Sequence, residues 1–143
     1  MLLFSALLTV TAGPLVAAPP KLLDPLLLVQ RLAALGPRPA GSGLAHREAK
    51  RILLAEMKVI GLSRVRVEST LAPGRGFSLD NLSALVPGGG RGEIVLSAHY
   101  DSVPAGPGAD DDASGCAVVL RAAQHLLRAH LRHHVRVLLF DGE

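Results

Sequence analysis

Residues 93–143, EIVLSAHYDSVPAGPGADDDASGCAVVLRAAQHLLRAHLRHHVRVLLFDGE, hold the pattern that decides the fold. Glu93 to His99 has a compact apolar centre, which predicts a strand buried on both faces. From Ser114 to about His130 the apolar residues return at helical period, and Val135 to Phe140 is a second apolar strand. A strand, a long helix and a strand at this spacing predict a crossover connection and a parallel pair inside an α/β sheet.

Upstream of that unit the chain supplies more of the same architecture. Asp24 before Pro25 reads as a helix cap with a first-turn proline, and Leu26, Leu27, Val29, Leu32 and Leu35 follow at helical spacing until Gly36. The stretch Gly36 to Ser42 (GPRPAGS) is a structured turn, with Ser42 placed to cap a second helix. In that helix Ala45, Ala49, Ile52, Leu53, Met57 and Ile60 line one face, Arg47, Glu48, Lys50, Arg51 and Lys58 the other, and Gly61 ends it. Val65 and Val67 alternate with charged residues as in a half-buried strand. Leu82, Ala84 and Val86 repeat that period after the loop at Pro73 to Gly76, and Pro87 to Gly92 is a tight turn.

Composition narrows the function classes. The 143 residues are 49% hydrophobic, enough to bury a core, so disorder is the wrong expectation. The formal charge of +3 comes with three Phe, one Tyr and no Trp, too few aromatics for a base-stacking surface, and the arginines are scattered. Nucleic-acid binding is therefore not expected. Cys116 is the only cysteine, which excludes an intrachain disulfide and a CxxC-type metal site, and its apolar surroundings assign it to packing. No charge precedes Lys21, and Leu2 to Val10 is almost wholly apolar. Residues 1–20 thus read as a secretory signal, with Val16 and Ala18 as small residues before a cleavage point, or as an N-terminal anchor that would tether the chain to a membrane. Residues 21–143 form the domain proper.

Ligands of open α/β sheets sit beyond the carboxyl ends of the strands. His99 and Asp101 follow the first strand of the unit, Asp110, Asp111 and Asp112 precede the long helix, and Asp141 and Glu143 follow the last strand. One aspartate before a helix is explained by the helix dipole. Three in a glycine-flanked turn repel one another unless a cation or several donors neutralise them. Imidazole with carboxylates is the donor set of a cysteine-free zinc site, with Asp101 placed to accept the second ring N–H of His99. EF-hand spacing is missing, which argues against calcium. His125, His130, His133 and His134 fall at the opposite end of the crossover and read as surface residues.

The strings Ala98-His99-Tyr100-Asp101-Ser102, Gly108 to Gly115 (GADDDASG) and Phe140-Asp141-Gly142-Glu143 resemble the co-catalytic di-zinc aminopeptidases related to bacterial leucyl aminopeptidase. The lead-in Leu35 to Ser42 and the Asn81-Leu82 strand resemble that family as well. The resemblance implies a three-layer α/β/α fold with a mixed, largely parallel central sheet, of which this chain would be the N-terminal part, truncated at its C-terminus. It also implies that His99 binds one of two zinc ions, that Asp111 bridges both, that Asp101 orients His99, that Asp112 follows a cis peptide, and that Glu143 is the general base. The activity implied is hydrolysis of the N-terminal peptide bond of a peptide or protein by a secreted enzyme. The family's next glutamate and its later aspartate and histidine ligands would lie beyond Glu143, so the chain as it stands would bind metal weakly and not turn over. Three other readings stay open: a zinc carboxypeptidase or deacylase related to acetylornithine deacetylase, a glutaminyl cyclase, which shares the HYDS string, and a non-catalytic truncated domain. The sequon Asn81-Leu82-Ser83 reads as a strand start.

Overall fold

The structure is a computed structural model that describes residues 22–41 and 43–143. Three helices, α1 (Pro25–Ala33), α2 (Leu44–Val59) and α3 (Gly115–Leu126), pack with four strands, β1 (Ser63–Leu71), β2 (Ser78–Val86), β3 (Glu93–His99) and β4 (His134–Phe140). The expectations for residues 1–20 and for Ser42 as a cap lie outside the described residues. The residue before α2 is Gly43, which offers no side-chain cap.

The sheet runs β1-β2-β4-β3. β3 and β4 are parallel and joined through α3, as expected, with Glu93 opposite His134 and His99 opposite Phe140. The other two pairs, β1 with β2 and β2 with β4, are antiparallel, so the sheet is mixed, with one parallel pair. In β4 the buried Val135, Val137 and Leu139 alternate with Arg136 and Leu138. Those three join Leu82, Ala84 and Val86 of β2 in one core with Leu28 and Leu32 of α1, Leu53 and Met57 of α2, and Cys116 and Leu120 of α3. The helices therefore cover the face that carries Val135, Val137 and Leu139. The second helical layer is not among the described residues.

Several local readings need correction. β3 is not buried on both faces: it lies at a sheet edge, and Ile94 and Val95 are each about half exposed. An apolar run cannot tell how many neighbours its strand has. β1 is the opposite edge, which leaves Val67 exposed. β2 is buried continuously from Leu82 to Val86 rather than alternately. In α1, Asp24 does cap the helix, accepting from the Leu27 N–H at 3.2 Å, but Leu28 is buried while Leu26 and Leu27 face out. A helix this rich in leucine does not mark its own core face. α3 ends at Leu126, short of His130. Gly61 closes α2 with φ +92°, a left-handed conformation that glycine adopts without steric cost.

Candidate metal centre

The parallel pair places its carboxyl ends side by side. β3 ends at His99, β4 runs into Asp141, and the segment Ala109–Ser114 leads into α3 between them. Asp112 ties that segment down: its Oδ2 accepts from the His99 N–H at 3.2 Å and its Oδ1 accepts from the Gly115 N–H at 2.8 Å. One of the three aspartates is thus spent on fixing the turn against β3. The Asp111–Asp112 peptide is cis.

With Asp112 turned inward, Asp111 points out, its side chain 78% exposed, and its Oδ1 lies 3.0 Å from His99 Nε2. Since a carboxylate only accepts, Nε2 carries the hydrogen here. The other ring nitrogen, Nδ1, is buried without a hydrogen-bond partner. Asp101 Oδ1 is 3.5 Å from it, which is ion-pair distance but too long for a formed hydrogen bond. Partial burial pushes the His99 pKa down, but the bond to Asp111 and the charges of Asp101 and Asp112 outweigh it and leave it raised above 6.5.

Two ligands of one tetrahedral zinc, each bonded at about 2.1 Å, stand about 3.4 Å apart. The observed 3.0 Å needs only a slight opening to admit the ion. The donor chemistry, one imidazole and one exposed carboxylate, suits zinc. The fit is partial: among the described residues no three His, Cys, Asp or Glu side chains converge on a common ion position. Asp110 and Glu143 are exposed and make no contact with His99 or Asp111 through hydrogen bonds. Glu143 does line the same cleft, about 410 Å³ in volume, as His99, Asp101 and Asp111. Its backbone N–H approaches Asp101 Oδ1 at 3.5 Å. Phe77 and Leu79 supply an apolar wall of that cleft.

The region from Asn81 to Glu143, which contains the greater part of β2, the Asp turn and both parallel strands, matches the model of peptidase family M28. Residues 81–143 are thus similar to a segment of that family. The chain resembles human endoplasmic reticulum metallopeptidase 1, 30% identical over 135 residues, covering 80% of this chain and 15% of that protein. It also resembles aminopeptidase YwaD of Bacillus subtilis, 40% identical over 50 residues, covering 35% of this chain and 11% of the relative. Among solved structures, glutaminyl cyclase of Porphyromonas gingivalis superposes with a TM-score of 0.69 at 27% identity, over 87% of this chain and 46% of that one. The chain thus spans a small part of these curated relatives' length and about half of the solved cyclase.

Around the cleft lie polar contacts that sequence reasoning passed over. His46 of α2 is buried, its Nε2–H donates to Asp141 Oδ1 at 2.8 Å, and its ring stacks on Tyr100 with centroids 5.1 Å apart. Asp141 Oδ2 accepts from the Asp80 N–H at 2.9 Å, and the Asp141 N–H donates to Asn81 Oδ1 at 3.0 Å. Asp141 therefore anchors the turn that presents Glu143 rather than facing the cleft. Burial, with the charges of Asp141 and Asp80, raises the Tyr100 pKa far out of reach, so the phenol stays neutral; it donates to Asp80 O at 2.9 Å. Asn81 engages the site's backbone from a strand whose Ser83 is fully buried. His125, His130 and His133 are exposed, and His134 accepts from the Gly88 N–H at 2.8 Å at the far end of β4.

Proposed function

We propose that the cleft is the active site of a zinc-dependent exopeptidase that hydrolyses the bond after the N-terminal residue of a peptide or protein. The observation that carries this reading is the approach of His99 Nε2 and Asp111 Oδ1 to 3.0 Å at the carboxyl ends of β3 and β4, within a segment of a peptidase family. His99 and Asp111 would hold zinc, the outward carboxylate of Asp111 serving to bridge two ions. Bound zinc supplies Lewis acidity, polarising a scissile carbonyl and acidifying a water.

The chain's own residues then have distinct tasks. For His99 to ligate through Nε2 its hydrogen must move to Nδ1, where Asp101 is the acceptor within reach; the unpartnered Nδ1 gains a partner by that change. Glu143 at the cleft rim is the general base: it takes a proton from the attacking water and returns it to the leaving amine. Phe77 and Leu79 exclude water from one side of the cleft. An extracytoplasmic or membrane-tethered setting is supported by the apolar Leu2 to Val10 and by the endoplasmic reticulum in the human relative's name. Among the described residues no helix is long and apolar enough to cross a membrane.

The test is hydrolysis of aminoacyl p-nitroanilides, with and without an N-acetyl block, by zinc-supplemented protein in a form long enough to complete the ligand set. Cleavage of the free-amine substrate only, reduced about 10²–10⁴-fold in Glu143→Gln with zinc content unchanged, is the expected result. Undiminished activity in that variant removes Glu143 from the mechanism. The likeness to a solved glutaminyl cyclase favours a second reading, cyclisation of an N-terminal glutamine, which a glutaminyl peptide distinguishes by its pyroglutamyl product.

A further inference from the structure

Arg38 is fully buried, yet among the described residues its guanidinium forms no ion pair. Every acceptor it meets is a backbone carbonyl. Nη1 donates to Leu32 O at 3.1 Å, to Gly36 O at 3.4 Å and, at shorter range, to Pro107 O; Nε donates to Tyr100 O at 3.1 Å and Nη2 to Gly108 O at 3.2 Å. The backbone of Arg38 adds two more ties, its N–H donating to Ser102 Oγ at 3.0 Å and its carbonyl accepting from the Ser102 N–H at 3.1 Å.

These carbonyls belong to three separate segments: the end of α1, the exit of β3 one residue past His99, and the entry to the Asp turn that presents Asp111. A guanidinium is a rigid planar fork with donors on several edges, so it fixes the distances between the groups it joins. A desolvated cation is costly, and an apolar side chain could fill the same space. What an apolar side chain could not do is hold three backbones in register. Gly108 shows how tightly the fork is gripped. A Cβ there would stand 2.5 Å from Asp111 O, 2.5 Å from Ser102 Cβ and 3.1 Å from Arg38 Nη2.

We infer that Arg38 is a positioning residue for the metal centre: by clamping the β3 exit to the Asp turn it sets the separation of His99 and Asp111 that admits the ion. This rests on the reading of those two side chains as metal ligands. Lysine, a single point donor, cannot span the same carbonyls.

The test is a zinc titration followed at the His99 ring by ¹⁵N NMR, which separates this site from the surface histidines, on wild type, Arg38→Lys, Ser102→Ala and Leu28→Ala. Leu28→Ala is the control for lost stability alone, since Leu28 is buried in the core and touches neither loop through a hydrogen bond. We expect the apparent zinc Kd to rise at least about 10-fold in Arg38→Lys and at least about 3-fold in the milder Ser102→Ala. It should change less than about 2-fold in Leu28→Ala although that variant unfolds at lower urea. Should Arg38→Lys fail to fold, Ser102→Ala against Leu28→Ala decides. A Kd in both loop variants within 2-fold of wild type, or an equal loss in Leu28→Ala, overturns the inference. A wild-type His99 resonance that ignores zinc overturns instead the metal reading beneath it.

Discussion

Removing Asp141 should unfold the site from behind. The carboxylate is fully buried and holds two donors, His46 Nε2–H at 2.8 Å and the Asp80 N–H at 2.9 Å. Hydrogen bonds to a charged group contribute roughly 1.5–3 kcal/mol each, and breaking a buried pair by deleting one partner costs about 3–5 kcal/mol. Asp141→Ala leaves both donors buried with no acceptor, and His46 Nδ1 already has no hydrogen-bond partner. The expected destabilisation is therefore about 3–5 kcal/mol, a large share of the roughly 5–15 kcal/mol by which a domain is stable. The assay is urea unfolding at pH 7 of wild type, Asp141→Ala, His46→Ala and the double variant. The cycle should return a coupling of about 1.5–3 kcal/mol between the two side chains. A loss under about 1 kcal/mol in Asp141→Ala at unchanged m, or a coupling near zero, would refute the account of this pair as the anchor of the Glu143 turn.

Zinc and protons compete for His99 Nε2. With its pKa raised above 6.5, affinity should climb about tenfold per pH unit up to that raised value and level off above it, as calorimetry at several pH values can show. In the metal-free protein the sign is opposite: the raised pKa adds stability that is complete below pH 6.5 and is lost as pH rises through the folded value, which urea midpoints across pH 5–8 would follow. Gly88→Ala should destabilise by more than about 2 kcal/mol, because its Cβ would lie 2.1 Å from the His133 carbonyl oxygen, a backbone atom at the entry to β4 that cannot step aside; a thermal midpoint equal to wild type would contradict this.

The strand–helix–strand unit and its polar ends were legible because each signal is local. The apolar centres of β3 and β4, the helical period after Ser114 and the carboxylates in the turns are set by neighbours a few residues away. His99 and Asp111, 12 residues apart, do meet at 3.0 Å, since a strand exit and a helix entry in one crossover must share an edge. Local pattern could not say how many neighbours a strand has, so β3 read as central when it is an edge, and it could not choose a core face in α1, where leucines surround the axis.

By itself the sequence determined the element types, the parallel pair and which side chains stand beyond its carboxyl ends. The tertiary structure alone decided the distant partners of the buried polar groups: for Arg38 the carbonyls of Tyr100 and Gly108, 62 and 70 residues away, and for His46 a carboxylate 95 residues away. Such pairings arise because a buried donor must find an acceptor wherever packing brings one, and neither period nor spacing records that search.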